Sequence, residues 1–295
     1  MIDRSDDLLS TMLTVIRLRA RVYHHASFCG GWQLDSSEER RASFHILGSG
    51  RCRLELPETG QSMPLRAGDL VLLPRNTPHR LRGEGAEEYT TLLCGYFEFS
   101  LGSTNPIVDA LPDLLVMAAA DDPQSAAQLT ALSALMLSEA DRIQSGSRLA
   151  LDRLAEVLFV MMLRRYLETA TEPLGILAGL ADPKIARALA ALHRAPERAW
   201  RVDTLAKEAC MSRTAFAQRF AALVGQPPLA YLSAWRMLLA ERWLAEERLS
   251  VAMVAERLGY ASETAFRRAF KRTHGSGPGS LRRRREQAMG QAAPT

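Results

Sequence analysis

The chain has 295 residues, 47% of them hydrophobic, which is enough for roughly two domains with packed cores and excludes a largely disordered protein. It contains no apolar run of about 18 residues, and its start, MIDRSDDLLS, lacks the basic residues and apolar stretch of a signal peptide, so a cytoplasmic protein without a membrane span is predicted. The net charge of +4 is unevenly divided, with 17 Lys and Arg against 23 Asp and Glu in residues 1–181, but 20 against 9 in residues 182–285. A basic module joined to an acidic one is the electrostatic footprint of a nucleic-acid binder with a separate sensing or assembly part.

In chain order, residues 5–14 read as a short helix with Leu8, Leu9, Met12 and Leu13 on one side. Residues 15–22 alternate, with Ile16, Leu18, Ala20 and Val22 against Arg17, Arg19 and Arg21, which predicts a half-buried strand. Strand-like runs follow at 30–34, 43–47, 51–56, 62–65, 69–74, 79–82 and 89–99, separated by turns rich in Gly, Pro and Asn. Many short, punctuated strands point to an antiparallel barrel or sandwich. Residues 124–143 and 147–170 then adopt a helical period on either side of Gly146. The second segment carries Leu151, Leu154, Leu158, Met161, Met162 and Leu163, a stripe suited either to packing on the barrel or to a dimer seam. A boundary is placed at 172–183, where Asp182 can cap a helix that has Pro183 at its first position. The last ten residues, 286–295, are predicted to be a disordered tail.

Residues 212–278 contain one phrase twice, fifty positions apart: Ser212, Thr214, Ala215, Phe216 and Phe220 followed by Gly225 and Pro228, then Ser262, Thr264, Ala265, Phe266 and Phe270 followed by Gly275 and Pro278. A repeat at a fixed offset is one supersecondary unit used twice. Each copy follows a short apolar helix and a tight turn, which predicts tandem helix-turn-helix units over 203–224 and 251–274. Asp203 is read as the cap of helix 204–209, and Cys210-Met211 as the turn, with Cys210 packed there. Ser212 caps the next helix, with Phe216, Phe220 and Leu223 inward. Helical geometry turns Thr214, Ala217, Gln218 and Ala221 outward, with Arg213 at the start of the helix. The second unit turns Thr264, Arg267, Arg268, Lys271 and Arg272 outward, and its turn is one residue longer. Arg213, Thr214, Ala217, Gln218, Thr264, Arg267, Arg268, Lys271 and Arg272 are therefore the candidate DNA contacts. Between the units, helix 229–244 buries Tyr231, Leu232, Trp235, Leu238, Leu239 and Trp243 and fixes their separation. The run Arg282 to Arg285 is read as phosphate contact or a solvated tail.

Residues 182–285 resemble the DNA-binding domain of AraC/XylS-type transcription regulators in Leu205-Ala206, Met211-Ser212, Phe216, Phe220, Gly225, Pro228, Tyr231-Leu232, Trp235-Arg236-Met237, Val254-Ala255, Leu258-Gly259-Tyr260, Phe266, Phe270-Lys271 and Gly275. The resemblance implies a regulator, expected to be an activator, that meets promoter double-stranded DNA and RNA polymerase. In the first half, Gly68-Asp69 to Pro74, Asn76 and His79 resemble the second cupin motif, with Asn76 where that motif has glycine. Cupin enzymes hold a metal with an HxH pair, a carboxylate and this histidine. Residues 33–47 have no HxH pair, which argues against a cupin enzyme fused to a DNA-binding domain.

Cys29-Gly-Gly-Trp32, Phe44-His45, Gly68-Asp69, Pro78-His79, Leu93-Cys94-Gly95 and Leu111-Pro112 resemble a branch of these regulators that includes activators responding to reactive chlorine species through two oxidised cysteines. That resemblance implies redox sensing at Cys29 and Cys94. A thiolate attacks an oxidant, passes through a sulfenic acid and condenses with a second thiol. Cys29, His45, His79 and Cys94 could also converge as a zinc site, although their separations of 16, 34 and 15 carry no finger-like spacing. Otherwise no cofactor is required, and gating by a small ligand or metal with unreactive cysteines remains open. Cys52 alternates with Leu54 and Leu56 and reads as core. The expectation is thus a non-enzymatic two-domain protein with an N-terminal cupin-like antiparallel β-barrel with flanking helices and a C-terminal all-α domain of two helix-turn-helix units. The barrel is assigned to 1–120, coupling or homodimer helices to 121–175, and the DNA-binding domain to 182–285, with an oxidant or small molecule as effector.

Overall fold

The computed structural model describes residues 7–35, 42–75, 77–84, 89–99, 105–118, 123–142, 144–245, 247 and 249–280. Its elements, in order, are α1 (Leu8–Ile16), β1 (Leu18–Phe28), β2 (Gln33–Asp35), β3 (Ala42–Ser49), β4 (Arg51–Leu56), β5 (Gln61–Arg66), β6 (Leu70–Leu73), β7 (Arg80–Gly83), β8 (Thr90–Phe99), α2 (Pro106–Asp109), β9 (Leu115–Met117), α3 (Pro123–Asp141), α4 (Ser147–Thr169), α5 (Gly175–Ala181), α6 (Pro183–Arg194), α7 (Val202–Glu208), α8 (Arg213–Val224), α9 (Pro228–Ala245), α10 (Val251–Arg257) and α11 (Glu263–His274). The chain divides into two compact units. Asn76, the run Arg282–Arg285 and the tail 286–295 lie outside the described residues.

One unit comprises residues 18–100 and 107–173. Its strands form two antiparallel sheets, ordered β1-β8-β3-β6-β9 and β2-β7-β4-β5. Side chains alternate across each strand, so one face of each sheet supplies an interior of Leu47, Cys52, Leu54, Leu65, Val71, Leu73, Leu81, Leu92 and Cys94. The other face of the five-stranded sheet buries Phe44 and Phe97, whose rings stack at 4.8 Å, and Phe97 meets Phe159 of α4 at 4.8 Å. Gly95 leaves room for this, because a Cβ there would lie 2.4 Å from the Phe44 ring. Helices α3 and α4 pack together, and α4 packs on β1, so they belong to the barrel unit rather than to a separate segment 121–175.

Three further boundaries differ from the sequence reading. Val15 and Ile16 are buried on the stripe begun by Leu8 and Met12, so α1 runs through the start of the expected strand and ends at Arg17, in the left-handed region at φ 49°. That helix packs on α6 and α9 and groups with the C-terminal unit, not with the barrel expected over 1–120. The stretch expected as a linker at 172–183 contains α5, which buries Ile176, Leu177 and Ala178. Strand β9 escaped detection because three half-buried residues carry no readable period.

The second unit holds α1 and α5 through α11. Asp182 caps α6, accepting from Lys184 N and Ile185 N at 2.9 Å each. Helix α7 is capped at Arg201, where Thr204 Oγ1 takes the Arg201 amide at 3.1 Å, so Asp203 lies inside the first turn and is not the cap. The supporting helices then end alike: Met211 N donates to Ala206 O at 2.8 Å, and Tyr260 N to Ala255 O at 3.0 Å. The residue before each donor is left-handed, Cys210 at φ 52° and Gly259 at φ 72°. Matching these turns puts the extra residue of the second unit at Ala261, between the closed turn and the Ser262 cap. Cys210 is exposed, not packed, because its turn directs it outward.

The paired turns make a stability prediction. A Cβ at 259 would lie 1.9 Å from the Glu197 carbonyl oxygen, in addition to the left-handed strain of roughly 1–2 kcal/mol, so Gly259→Ala should destabilise the unit by at least about 2 kcal/mol. Cys210→Gly relieves that strain and loses backbone entropy of similar size, so its denaturation midpoint should stay within about 1 kcal/mol of the parent.

Candidate functional site

In the C-terminal unit, Phe216, Phe220, Phe266 and Phe270 are fully buried. They lock the inward faces of α8 and α11, and Ser212 and Ser262 cap the two helices through Ala215 N at 3.4 Å and Ala265 N at 3.2 Å. Val224 completes the buried face of α8, while Leu223 is only half-buried. Trp243 is likewise half-buried, with Arg257 over its ring at 5.9 Å. Arg213, Thr214, Gln218, Thr264, Arg267, Arg268, Lys271 and Arg272 are exposed, and Ala217 and Ala221 are half-buried on α8. The fold thus leaves the predicted contact residues on the open faces of two capped helices.

Their charges are not equally available. Arg213 pairs with Asp203 at 3.1 Å. Arg219 binds Asp182 through Nε at 2.7 Å and through a second guanidinium nitrogen. Burial acts to raise the Asp182 carboxyl, but the bonds from Ile185, Arg219 and Lys184 outweigh it and hold it below its ordinary value. On α11, Arg267 pairs with Glu263 at 2.6 Å one turn away. Sequence reasoning missed these pairings because they join side chains on different helices or compete with the DNA-facing role.

Helix α9 packs against α8, α10 and α11. Its Tyr231 hydroxyl lies 2.6 Å from His193 Nε2, and Trp235 stacks on the same imidazole at 3.9 Å. Arg236 donates to the carbonyls of Pro196 at 2.7 Å and Arg198 at 3.0 Å, and lies over the Tyr260 ring at 5.6 Å. Only the phrase Trp235-Arg236-Met237 hinted at this role in the sequence.

In the barrel, His45 Nδ1 lies 3.1 Å from Cys94 Sγ, and His45 Nε2 lies 2.7 Å from His79 Nε2. His79 Nδ1 lies 2.8 Å from the Thr77 carbonyl, which can only accept. With both rings neutral, that bond orders the whole chain: the Cys94 thiol donates to His45 Nδ1, His45 Nε2–H donates to His79 Nε2, and His79 Nδ1–H donates to Thr77. Burial, then the neighbouring His79 and His24, push the His45 pKa well below its usual value and keep the ring neutral. Burial, reinforced by Glu84 and Asp69, pushes the Cys52 thiol up to about 12, so it is inert core.

Cys29 is not in this group. It is exposed and lies five residues beyond His24, the register partner of Cys94. At about 3.3 Å per strand residue the separation is roughly 16 Å, against a limit of about 7 Å between the Cα atoms of a disulfide. The four-residue zinc set therefore does not assemble. His45 directs its two nitrogens at different partners, Nδ1 at Cys94 and Nε2 at His79. Among the described residues, no three His, Cys, Asp or Glu form a metal-holding group.

A double-sheet barrel with flanking helices and a helical unit of tandem helix-turn-helix units define a DNA-binding regulator class. The cupin family matches residues 7–168 and the helix-turn-helix domain family matches residues 205–284. An AraC-like transcription regulator of Streptomyces lividans is 34% identical, with 94% of this chain and 98% of the relative covered. The RCS-specific activator RclR of Escherichia coli K12 is 30% identical, with the same coverage. The solved DNA-binding domain of AdpA, in complex with a target DNA, is 38% identical over 38% of this chain and 99% of its own, with a TM-score of 0.35. The chain belongs to the family of AraC-like transcription regulators. Among the described residues, no helix is long and apolar enough to cross a membrane.

Burial pushes His193 down to about 3. The unfolded imidazole, near 6.5, takes a proton that the folded one refuses. Stability should therefore be fully present above about pH 6.5 and fall as pH drops from there toward 3. In full-length protein, His193→Gln should flatten that part of the urea-midpoint profile; an unchanged slope would show that other groups govern it.

Proposed function

We propose that this AraC-like regulator activates transcription by placing α8 and α11 in successive major-groove segments of promoter DNA, and that its barrel senses the signal through Cys94. The observation that carries the first part is the pair of capped helices, each anchored by two buried phenylalanines and open on the opposite face. Arg213, Thr214, Ala217, Gln218, Thr264, Arg267, Arg268, Lys271 and Arg272 supply the contacts. RNA polymerase is the second partner of such an activator. In a mobility-shift assay on promoter fragments, Arg268→Ala should weaken binding roughly 5- to 150-fold, the equivalent of about 1–3 kcal/mol for a base contact. Unchanged affinity would place Arg268 away from DNA.

For the sensor, the carrying observation is the directed chain from Cys94 through His45 to His79. A small neutral oxidant of the peroxide or hypohalous acid class, written X–OH, reacts as its O–X bond breaks and an S–O bond forms. Sulfur loses two electrons to the oxidant, and the thiol proton, collected by His45, leaves with X as HX. The sulfenic acid replaces a donor in a buried interior and biases the barrel between two states. Cys29 can join a disulfide only after the end of β1 separates from β8. Cys94→Ala should abolish oxidant induction of a reporter, while Cys52→Ala should leave it intact. Induction retained in Cys94→Ala, with mass mapping that finds no oxidised thiol, would favour small-ligand gating instead.

A further inference from the structure

The fifty-residue repeat makes the two recognition helices an internal comparison. Thr214 corresponds to Thr264, Phe216 to Phe266 and Phe220 to Phe270, so scaffold and anchors coincide. The outward positions do not. Gln218 corresponds to Arg268, Ala217 to Arg267 and Ala221 to Lys271. The cations that α8 does carry are bound within the unit, Arg213 by Asp203 and Arg219 by the α6 cap Asp182. Outside these pairs, the open face of α8 is Thr214, Ala217, Gln218 and Ala221, all uncharged side chains. On α11 only Arg267 has a carboxylate, Glu263. Arg268, Lys271 and Arg272 have no carboxylate partner among the described residues.

Building on the reading of α8 and α11 as DNA-binding helices, we propose that they read chemically different segments, with Gln218 selecting adenine and Arg268, at the same place in the repeat, selecting guanine. A carboxamide presents a donor and an acceptor side by side, matching adenine N6 and N7. A guanidinium presents two donors, matching guanine O6 and N7. Ala217 offers the apolar surface that suits a neighbouring thymine methyl, and Lys271 and Arg272 meet the flanking phosphates of the second segment alone. The binding site is therefore directional, with an A·T-reading end under α8 and a G·C-reading end under α11. Counterion release, and with it salt dependence, belongs mainly to α11, because each phosphate neutralised by Lys or Arg contributes about 0.9 to the slope.

Exchanging the two residues tests this. The full chain and its Gln218→Arg and Arg268→Gln variants would each select from a pool of random duplexes about three helical turns long, followed by affinity titrations against salt. Both positions are exposed, so the substitutions do not disturb the core. The expected result is that Gln218→Arg converts one adenine preference to guanine at one end of the site. Arg268→Gln should convert one guanine preference to adenine at the other end and weaken binding to the parental site roughly 5- to 150-fold. Ala221→Lys should raise the slope by about one without altering base preference. If the parent selects a defined site but both exchanges leave every base preference unchanged, the assignment is overturned while DNA reading by these helices stands. If the parent selects no sequence at all, both readings fall together.

Discussion

The helical unit depends on α6, whose two ends each hold one DNA-reading module. At its start, Asp182 accepts two backbone amides and the Arg219 guanidinium, which ties α8 to the first turn. Just past its end, the carbonyls of Pro196 and Arg198 take Arg236, while the Glu197 backbone sits against Gly259. The twelve residues between these attachments rise about 18 Å at 1.5 Å per residue. Two modules fastened to one helix are held at a constant separation by it. The buried stack of Tyr231, His193 and Trp235 joins α9 to the last turn of α6.

The barrel unit uses its interior differently. Most of its inward side chains are aliphatic, and among them runs a chain of one thiol and two imidazoles with a single consistent direction of hydrogen bonding. A group buried in such a chain has its donors and acceptors committed, so a chemical change at one end must be accommodated by all members. Neutrality of His45 keeps charge out of the core.

Local features were legible in the sequence and cross-chain features were not. The caps Asp182, Ser212 and Ser262, the anchors Phe216 and Phe266, and most strands were readable because period and capping chemistry act over a few residues. Asp203 was misread because two residues near that helix start can satisfy an amide, and the Thr204 hydroxyl takes it. Val15 and Ile16 fitted a strand and a helix equally well, and only the surface they pack against decided between them. Arg219 with Asp182, and Arg236 with Pro196, meet across about forty residues, where spacing carries no signal. The convergence of His45, His79 and Cys94 followed from the barrel topology. The exclusion of Cys29 required strand register, since a five-residue offset along β1 is invisible until His24 is matched to Cys94.

The placement of α1 changes what the barrel is topologically. Helix α1 groups with the helical unit, the chain enters the barrel unit at Leu18, Asn105 and Pro106 group with the helical unit again before β9, and the chain returns to it at Leu174. Most of the barrel unit is thus an insertion in the sequence of the helical unit rather than a pendant on one linker. Severing the protein between α4 and α5 would strip Leu8, Met12, Val15 and Ile16 of their partners and leave a greasy stub on the isolated barrel, so that single cut does not yield two clean halves.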